Sequence, residues 1–312
     1  MNAFTARVPP TRFGVLATGA AVTATIAASL IELLPHTFFL EKFKNIIRIY
    51  RLGEEIPLQH EVEDLFNEVL DDLKIKDTIR KKLDAFPIVG FNLYHAGMAD
   101  SHQGAIIGIP INYMYKDKLS IDTSDIRMGR DREPINMYHP AAEDLLESLV
   151  LSKNAQKFGI AREVLMAHKD LPLYRSIESS FMVASSILIA DFFRVKYNIM
   201  RRSLVCMVYG TSALIGYAIW FQTRDILTTY SEKEVDKELS TLGPEYIQGG
   251  KEFYDKILKR NVATRTLLGA EGSRQFNRDG DEIFFIRHKR TPITHRKRFF
   301  SELKLEGEKA PA

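Results

Sequence analysis

Three apolar runs constrain this chain more than any other feature of its sequence. They cover residues 13–31, 179–195 and 203–221, and the first and third contain no charged residue. A helix needs roughly 20 apolar residues to cross the hydrocarbon core of a bilayer, so each run has about the length of a span. The runs predict three transmembrane helices. Two buried core helices are the alternative for the second and third runs, because the second is short and carries Asp191.

Basic residues beside the runs predict which side of the membrane each segment faces. The tip 1–12 and the loop 196–202 between the second and third runs contain basic residues and no acid. Lys and Arg accumulate on the side from which the chain is not translocated, so both segments are expected on one side. Three spans then bring residues 32–178 and 222–304 together on the other side. These two segments are predicted to form one domain that the helical hairpin splits in sequence.

The composition excludes several classes of protein. The net charge is only +3 and the basic residues form no long stripe with interleaved aromatic residues, so nucleic acid is not an expected partner. Cys206 is the single cysteine, which excludes a disulfide within the chain and a metal site built from paired cysteines. The tip resembles a mitochondrial targeting sequence or the flank of a signal anchor, with a cleaved secretory signal as the rival interpretation.

The first polar segment combines helix and strand patterns. Apolar residues at three- and four-residue spacing predict a helix over 60–83, and a helical region is expected over 140–168 with an internal cap at Ser152. Residues 86–97 and 104–115 are rich in Ile, Val, Phe and Tyr and are predicted to form strands.

The second polar segment is predicted to be mostly helical. Helices are expected over 231–243 and 249–269, followed by a hairpin around Asp279 and Gly280. The tail 305–312 has little to bury and is predicted to be disordered. Together, the patterns predict an α+β membrane protein with three transmembrane helices and a small helical and β domain.

Four short blocks resemble one known family. They are LSKNAQKFGIAREVL at 151–165, GGKEFYDKIL at 249–258, RTLLGAEG at 265–272 and, more weakly, GIP at 108–110. In these blocks, and more loosely over about residues 13–297, the chain resembles the transmembrane protein 177 family. The resemblance implies a multi-pass protein of the mitochondrial inner membrane. With the orientation that the loop charges predict, the tip and the loop 196–202 are expected in the matrix and the soluble domain in the intermembrane space. The resemblance also implies association with newly made cytochrome c oxidase subunit 2 and the assembly chaperone of that subunit, without catalytic residues or a cofactor.

The order of elements resembles a second, more distant group, the membrane-anchored gluzincin peptidases. Those enzymes place H-E-x-x-H on one helix, then a transmembrane hairpin, then E-x-x-x-D on another helix. Here Arg162-Glu163-Val-Leu-Met166 is followed by the hairpin and by Glu232-Lys-Glu-Val-Asp236, and HRKRF with His295 lies where those peptidases have a further basic motif. The resemblance implies a degenerate gluzincin scaffold.

The residues at these positions argue against zinc catalysis. A zinc site of this type needs two imidazoles one helical turn apart, a carboxylate from the second helix and a glutamate base. Glu163 and Glu232 match the carboxylate roles, but Arg162 and Met166 stand where the imidazoles belong. We therefore expect a protein without metal or enzymatic activity, with a zinc metallopeptidase or regulatory pseudopeptidase as the alternative and a carrier or channel disfavoured.

Two structural interpretations of Arg162 stay open. In the first, its guanidinium replaces the metal and pairs with Glu232 or Asp236, joining the two helices. In the second, these charges lie on solvated helix faces.

Two surfaces are candidates for binding a membrane-protein client. Pro110 suggests that residues 104–113 form an edge strand, which is predicted to capture an extended client segment by strand addition. The residues assigned to that surface are Ile106, Ile107, Ile109 and Ile111. The alternative is the hairpin, whose third span contains Gly and Ser residues that permit close approach of another membrane helix. Asp191, near the basic end of the second span, is expected at the membrane interface.

Overall fold

The protein is described by a computed structural model that covers residues 12–51, 53–123, 126–129 and 133–303. The predicted basic tip, apart from Arg12, and the predicted disordered tail 305–312 lie outside these residues. The helices are α1 (Arg12–Leu33), α2 (Leu40–Ile47), α3 (His60–Asp72), α4 (Asp77–Arg80), α5 (Pro140–Leu149), α6 (Lys153–Ala167), α7 (Leu171–Lys196), α8 (Arg202–Ser240), α9 (Pro244–Leu267), α10 (Gly272–Gln275) and α11 (Ile293–Glu302). The strands are β1 (Tyr50–Arg51), β2 (Glu54–Glu55), β3 (Leu83–Ile88), β4 (Tyr94–Gly97), β5 (Ala105–Pro110), β6 (Arg127–Met128) and β7 (Glu133–Pro134).

The chain divides into two compact units. One contains the described residues up to Pro35 together with Pro172–Arg224, and the other contains His36–Leu171 and the described residues from Asp225 onward. The polar segments before and after the hairpin therefore belong to the same unit. Among the described residues, three helices are long and apolar enough to cross a membrane, namely α1, α7 and α8. The fold is thus mixed helix and sheet with three candidate spans, as the sequence predicts.

Polar contacts join the three helices of the first unit. Both terminal nitrogens of Arg224 on α8 donate to Glu32 on α1, at 2.6 and 2.8 Å. The Arg224 guanidinium also lies 4.9 Å from the ring centroid of Trp220. The hydroxyls of Ser29 on α1 and Ser176 on α7 are 2.6 Å apart. Because hydrogen bonds between membrane helices need polar partners on facing surfaces, these pairs fix which faces of the three helices meet.

Asp191 is held by the neighbouring helix of the hairpin. Its carboxylate accepts a hydrogen bond of 2.5 Å from the hydroxyl of Tyr209 on α8 and lies 3.6 Å from Arg194. Its side chain is 43% exposed. The acid therefore has two partners and is only partly enclosed, which suits a position near the basic end of α7 rather than the middle of a span.

A three-stranded sheet lies in the second unit and corrects the predicted client-binding strand. Its strand order is β3-β5-β4, with β5 parallel to β3 and antiparallel to β4. All six residues of β5 are buried. The edge strand predicted at 104–113 is therefore the central strand, and strand addition there is excluded because both of its sides are already paired.

The error came from Pro110. This proline is the last residue of β5, where it pairs with the last residue of β3, and a 3-10 turn begins at Ile111. A proline at the end of a ladder interrupts few hydrogen bonds, so it does not require an edge position. Ile107 and Ile109 lie in the main core and Ile106 lies in a second cluster with Leu40 and Phe86. The exposures of Ile106, Ile107 and Ile109 are 2%, 0% and 0%, while Ile111 packs beside a third, smaller cluster.

Other elements also differ from their predicted extent. The strand predicted over 86–97 is two strands, β3 and β4, and the helix predicted over 231–243 is the end of α8. The helix predicted over 60–83 ends at Asp72, and Lys74 adopts a φ of +53°, which ends a helix because side chains disfavour that region. The helices predicted over 249–269 form one element, α9, which begins at Pro244. The hairpin predicted around Asp279 is reduced to a single bridge between Phe276 and Glu282.

Helix α6 lies at the centre of the second unit. It packs against α9, α3 and the strands β4 and β5, and Phe158, Ile160 and Val164 are fully buried. Its N-terminus is capped by Ser152, whose hydroxyl accepts a hydrogen bond from the amide of Ala155. A helix enclosed on every side is a core element rather than a solvated amphipathic one. The charged residues that it carries must therefore find partners inside the protein.

Glycines permit the close approach of α6 and α9. A Cβ atom added to Gly249 would lie 2.3 Å from the backbone oxygen of Asn154 and 2.7 Å from its carbonyl carbon. Because backbone atoms of α6 cannot move independently of the helix, a side chain at this position would force the two helices apart.

We expect Gly249→Ala to lower the free energy of unfolding by about 1–3 kcal/mol, the usual cost of overpacking a core. The matched control is Gly210→Ala, since Gly210 is also helical and a Cβ there meets nothing within 4 Å. Thermal unfolding of the detergent-solubilised chain measures both variants. Equal melting temperatures for Gly249→Ala and the unmodified chain would contradict the described packing of α6 on α9.

Candidate functional site

The residues singled out by the gluzincin-like pattern meet in a cluster of buried charges within the second unit. Arg162 and Glu163 come from α6, and Glu232 and Asp236 come from α8, where a spacing of four residues puts both carboxylates on one helix face. The carboxylates of Glu163, Glu232 and Asp236 have side-chain exposures of 5%, 3% and 5%. Charges this enclosed are stable only when they are paired and hydrogen-bonded. We call this group, together with Arg296, the charge cluster.

Arg296 forms the strongest pair in the charge cluster. It lies on α11, and its Nε and Nη2 atoms donate to the two carboxylate oxygens of Asp236 at 2.6 and 2.7 Å. Tyr254 on α9 donates its hydroxyl to the same carboxylate at 2.7 Å. The Arg296 guanidinium lies 4.8 Å from the Tyr254 ring centroid. Two parallel hydrogen bonds and a cation–π contact fix the position of α11 against α8 and α9.

Glu232 lies between the two arginines. Its Oε1 atom is 3.5 Å from Nη1 of Arg296 and 3.7 Å from Nη2 of Arg162. Its other oxygen accepts a hydrogen bond of 2.9 Å from the backbone amide of Thr291. Arg162 thus contacts one of the two carboxylates proposed for it, whereas Asp236 is bound by Arg296. With a side-chain exposure of 16%, Arg162 does not lie on a solvated face.

Glu163 has a partner at each oxygen. Nη1 of Arg162 donates to Oε1 at 2.7 Å, and Nδ1 of His95 on β4 lies 2.5 Å from Oε2. Burial by itself would raise the pKa of Glu163. The charge of Arg162 and the hydrogen bond from His95 outweigh burial and lower that pKa to about 2. Glu163 is therefore a carboxylate across the physiological pH range.

The balance of charge in the cluster favours a further polar partner for Glu163, and His95 is that partner. The three carboxylates of Glu163, Glu232 and Asp236 face two buried guanidiniums, which leaves one negative charge in excess. His95 touches Glu163, and Arg290 is close enough for its charge to lower the Glu163 pKa further. The His95 side chain is 26% exposed, so the cluster is partly open to solvent on this side. His95, which contacts Glu163, is therefore also in contact with solvent.

The residues at the zinc-ligand positions do not fit a zinc ion. Arg162 has no lone pair to donate and carries a permanent positive charge, and Met166 is a thioether packed in the main apolar core. His168 points its Nδ1 at the backbone oxygen of Val164, 2.8 Å away, at the end of α6. No group of three or more His, Cys, Asp or Glu side chains suited to a metal occurs within 12–51, 53–123, 126–129 and 133–303.

Sequence reasoning missed three members of this arrangement. The HRKRF motif draws attention to His295, but the residue that enters the cluster is its neighbour Arg296. His95 and Tyr254 carry no sequence signal, because each lies in a segment with an ordinary strand or helix pattern. Arg296 alone of the three has a sequence signal. It belongs to the basic HRKRF motif, which follows the Glu232–Asp236 motif in the order that gluzincins show.

The pKa of Glu163 predicts an acid-dependent loss of stability. Because the folded-state pKa is lowered to about 2 from 4.5, the contribution of Glu163 is fully present above about pH 4.5 and is lost as the pH falls towards 2. We expect the melting temperature of the unmodified chain to fall over this range. Glu163→Gln is expected to melt at a lower temperature at pH 7 and to lose less on acidification.

The control for this measurement is Glu61→Gln, which removes a glutamate whose side chain is 69% exposed and paired only with an equally exposed Lys116. That variant is expected to keep the acid dependence of the unmodified chain, since exposed ion pairs contribute little. If Glu163→Gln and Glu61→Gln gave the same dependence on pH, Glu163 would not be a buried, charge-paired carboxylate.

Comparison with known proteins identifies relatives that cover most of this chain. The family model described as transmembrane protein 177 matches residues 122–310. A transmembrane protein 177 from Xenopus laevis is 26% identical over 262 residues, which cover 82% of this chain and 84% of the relative. The Mus musculus protein of that name is 29% identical over 251 residues, 78% of each chain, and the Danio rerio protein is 28% identical over 287 residues, 87% of this chain and 89% of the relative.

No solved structure matches this chain. The family model spans more than half of the sequence, and its range contains Arg162, Glu163, Glu232, Asp236 and Arg296. The chain therefore belongs to the transmembrane protein 177 family.

Proposed function

We propose that this protein is a non-enzymatic assembly factor of the mitochondrial inner membrane. In this proposal it supports the maturation and stability of cytochrome c oxidase subunit 2, together with the assembly chaperone of that subunit. Membership of the transmembrane protein 177 family supports the proposal, because the resemblance to that family implies this location and these partners. The three candidate spans support the membrane part of it.

The observation that carries the non-enzymatic part is the state of Glu163. In a gluzincin peptidase this glutamate must contact a metal-bound water and accept its proton. Here one oxygen receives a guanidinium hydrogen bond and the other contacts His95. A carboxylate with its pKa lowered to about 2 is also a weak base, because a general base works best with a pKa near the operating pH. The group therefore lacks both the free oxygen and the basicity for hydrolysis.

The orientation in this proposal follows from charge. The basic tip 1–12 and the basic loop 196–202 face the matrix, and the unit that holds the charge cluster faces the intermembrane space. Newly made subunit 2 would meet the protein within the bilayer or on the intermembrane-space side. The zinc metallopeptidase and regulatory pseudopeptidase remain the competing functions, and they differ from the proposal in metal content and in dependence on Glu163.

The hairpin is the client-binding surface in this proposal, since the β5 strand is internal. Gly216 on α8 lies so close to α7 that a Cβ there would be 2.0 Å from the hydroxyl of Ser186. Beside this contact, α7 and α8 line an open apolar cleft of about 420 Å³ that includes Ser212 and Met182. Small and flexible side chains of this kind allow another membrane helix to pack closely. The occupant that we assign to the cleft is a transmembrane helix of the client.

Affinity purification of the tagged full chain from mitochondria tests the proposal. We expect subunit 2 and its assembly chaperone to be enriched over an unrelated inner-membrane protein that carries the same tag. Glu163→Gln is expected to keep this enrichment and to support subunit 2 maturation when both are normalised to the abundance of the variant. Stoichiometric zinc in the purified chain, lost in Glu163→Gln or Glu232→Gln, would instead establish a metal-dependent enzyme.

Two neighbouring substitutions test the hairpin surface. Ser212→Phe fills the cleft and is expected to reduce recovery of subunit 2, because the added ring occupies the space of the incoming helix. Ala213→Phe adds a larger side chain at the adjacent exposed position, which is not part of the cleft, and is expected to leave recovery unchanged. Equal recovery with both variants would remove the cleft from the proposal while leaving the partner assignment intact.

A further inference from the structure

The segment 283–290 of the second unit combines exposed apolar residues with a basic cluster. Its sequence is IFFIRHKR, which contains no acid. Phe285 and Ile286 form the tip at a bend in the chain, and their exposures are 96% and 86%. Ile283 is 46% exposed. Large apolar side chains placed side by side at such exposure usually mark a contact surface. We call this segment the basic–aromatic loop.

An ion pair holds the basic–aromatic loop beside α8. Nε of Arg287 lies 3.4 Å from a carboxylate oxygen of Asp225. Asp225 is the fourth residue after the apolar run 203–221, so it lies about 6 Å along the helix from the end of that run. The tip is only one or two residues from Arg287, a reach of at most about 7 Å. The interfacial layer of a bilayer is roughly 5–8 Å thick on each side, so Asp225 would lie at the depth of that layer if the run crosses the hydrocarbon core.

A second exposed apolar patch lies where the chain enters the same unit from α1. The candidate span that includes α1 ends at His36, and Phe38 and Phe39, two and three residues later, are 76% and 45% exposed. On α2, Ile46 is 78% exposed. Phe38 and Phe39 are therefore only two and three residues from the end of this candidate span along the chain. The connections of the unit to α1 and to α8, two of its three connections to the helices with candidate spans, therefore have exposed aromatic residues beside them.

We infer that the basic–aromatic loop is a membrane-interface anchor that inserts Phe285 and Ile286 among lipid headgroups. Its partner is the surface of a bilayer that contains anionic phospholipid. The apolar tip gains from leaving water, and His288, Lys289 and Arg290 follow it with side chains suited to phosphate groups. Arg287 pairs with Asp225, and Asp225 lies on the same helix as the third apolar run. This link to a candidate span favours the bilayer over a protein partner. This inference does not depend on the proposed function.

Depth-dependent fluorescence quenching in nanodiscs tests the anchor on the full chain. The native thiol is removed by Cys206→Ser, and a single new cysteine is placed at position 286 by Ile286→Cys and labelled with an environment-sensitive fluorophore. Nanodiscs contain phosphatidylcholine alone or mixed with phosphatidylglycerol, with or without nitroxide-labelled acyl chains. We expect the label to lose most of its fluorescence to the nitroxide lipid, and to lose more when phosphatidylglycerol is present.

The matched control is a label at Tyr138→Cys, a position in the same unit that is 99% exposed and lies outside the three candidate spans in sequence. That label is expected to stay unquenched. In the Ile286→Cys background, Phe285→Asp is expected to abolish quenching, and Lys289→Gln to reduce the inserted-to-free ratio about fivefold in the anionic membrane. Quenching at position 286 no greater than at position 138 would overturn the inference and indicate a protein partner for this loop.

Discussion

Arg162 and Arg296 bring two permanent charges into a part of the protein that is almost closed to water. Arg296 is bound side-on by Asp236, and Glu232 lies between both guanidiniums. Removing one partner of such a buried pair typically costs about 3–5 kcal/mol, because the remaining charge stays desolvated. These contacts join α6, α8 and α11, which are separated in sequence by a membrane hairpin and by α9. The two polar halves of the chain must therefore assemble before either can bury its charges.

The charge cluster links α6 to α8 through Arg162 and Glu232, the two helices that a metal would join in the gluzincin arrangement that the sequence predicts. It differs from a metal in two physical respects. A guanidinium offers no open coordination position, and its charge does not depend on metal supply or on pH near neutrality. Glu163, which would act on water in a zinc peptidase, is held here by Arg162 and His95. The likeness of this scaffold to a gluzincin fold stays a prediction.

Two features of different physical origin suit this chain to contact with a bilayer. The spans depend on apolar length, and within their unit Arg224, Glu32 and Trp220 satisfy polar groups near the helix ends. Exposed aromatic residues beside the connections of the second unit to α1 and α8 are features of a different kind, because amphipathic side chains suit the interface that we propose for them. The ion pair between Arg287 and Asp225 joins one of these segments to α8.

The sequence by itself determined the three candidate spans, the division of the soluble unit by the hairpin and the helices that carry Glu163, Glu232 and Asp236. Those features follow from apolar length and from the 3.6-residue period, which act within a single segment. Only the tertiary structure decided that β5 is central, that Arg296 rather than His295 enters the cluster, and that His95 and Tyr254 complete it. Strand order and side-chain pairing depend on contacts between distant segments. Pro110 and the HRKRF motif are local patterns, so they do not determine which strands flank β5 or which basic residue pairs with Asp236. Packing of distant segments and the need to pair buried charges determine these features.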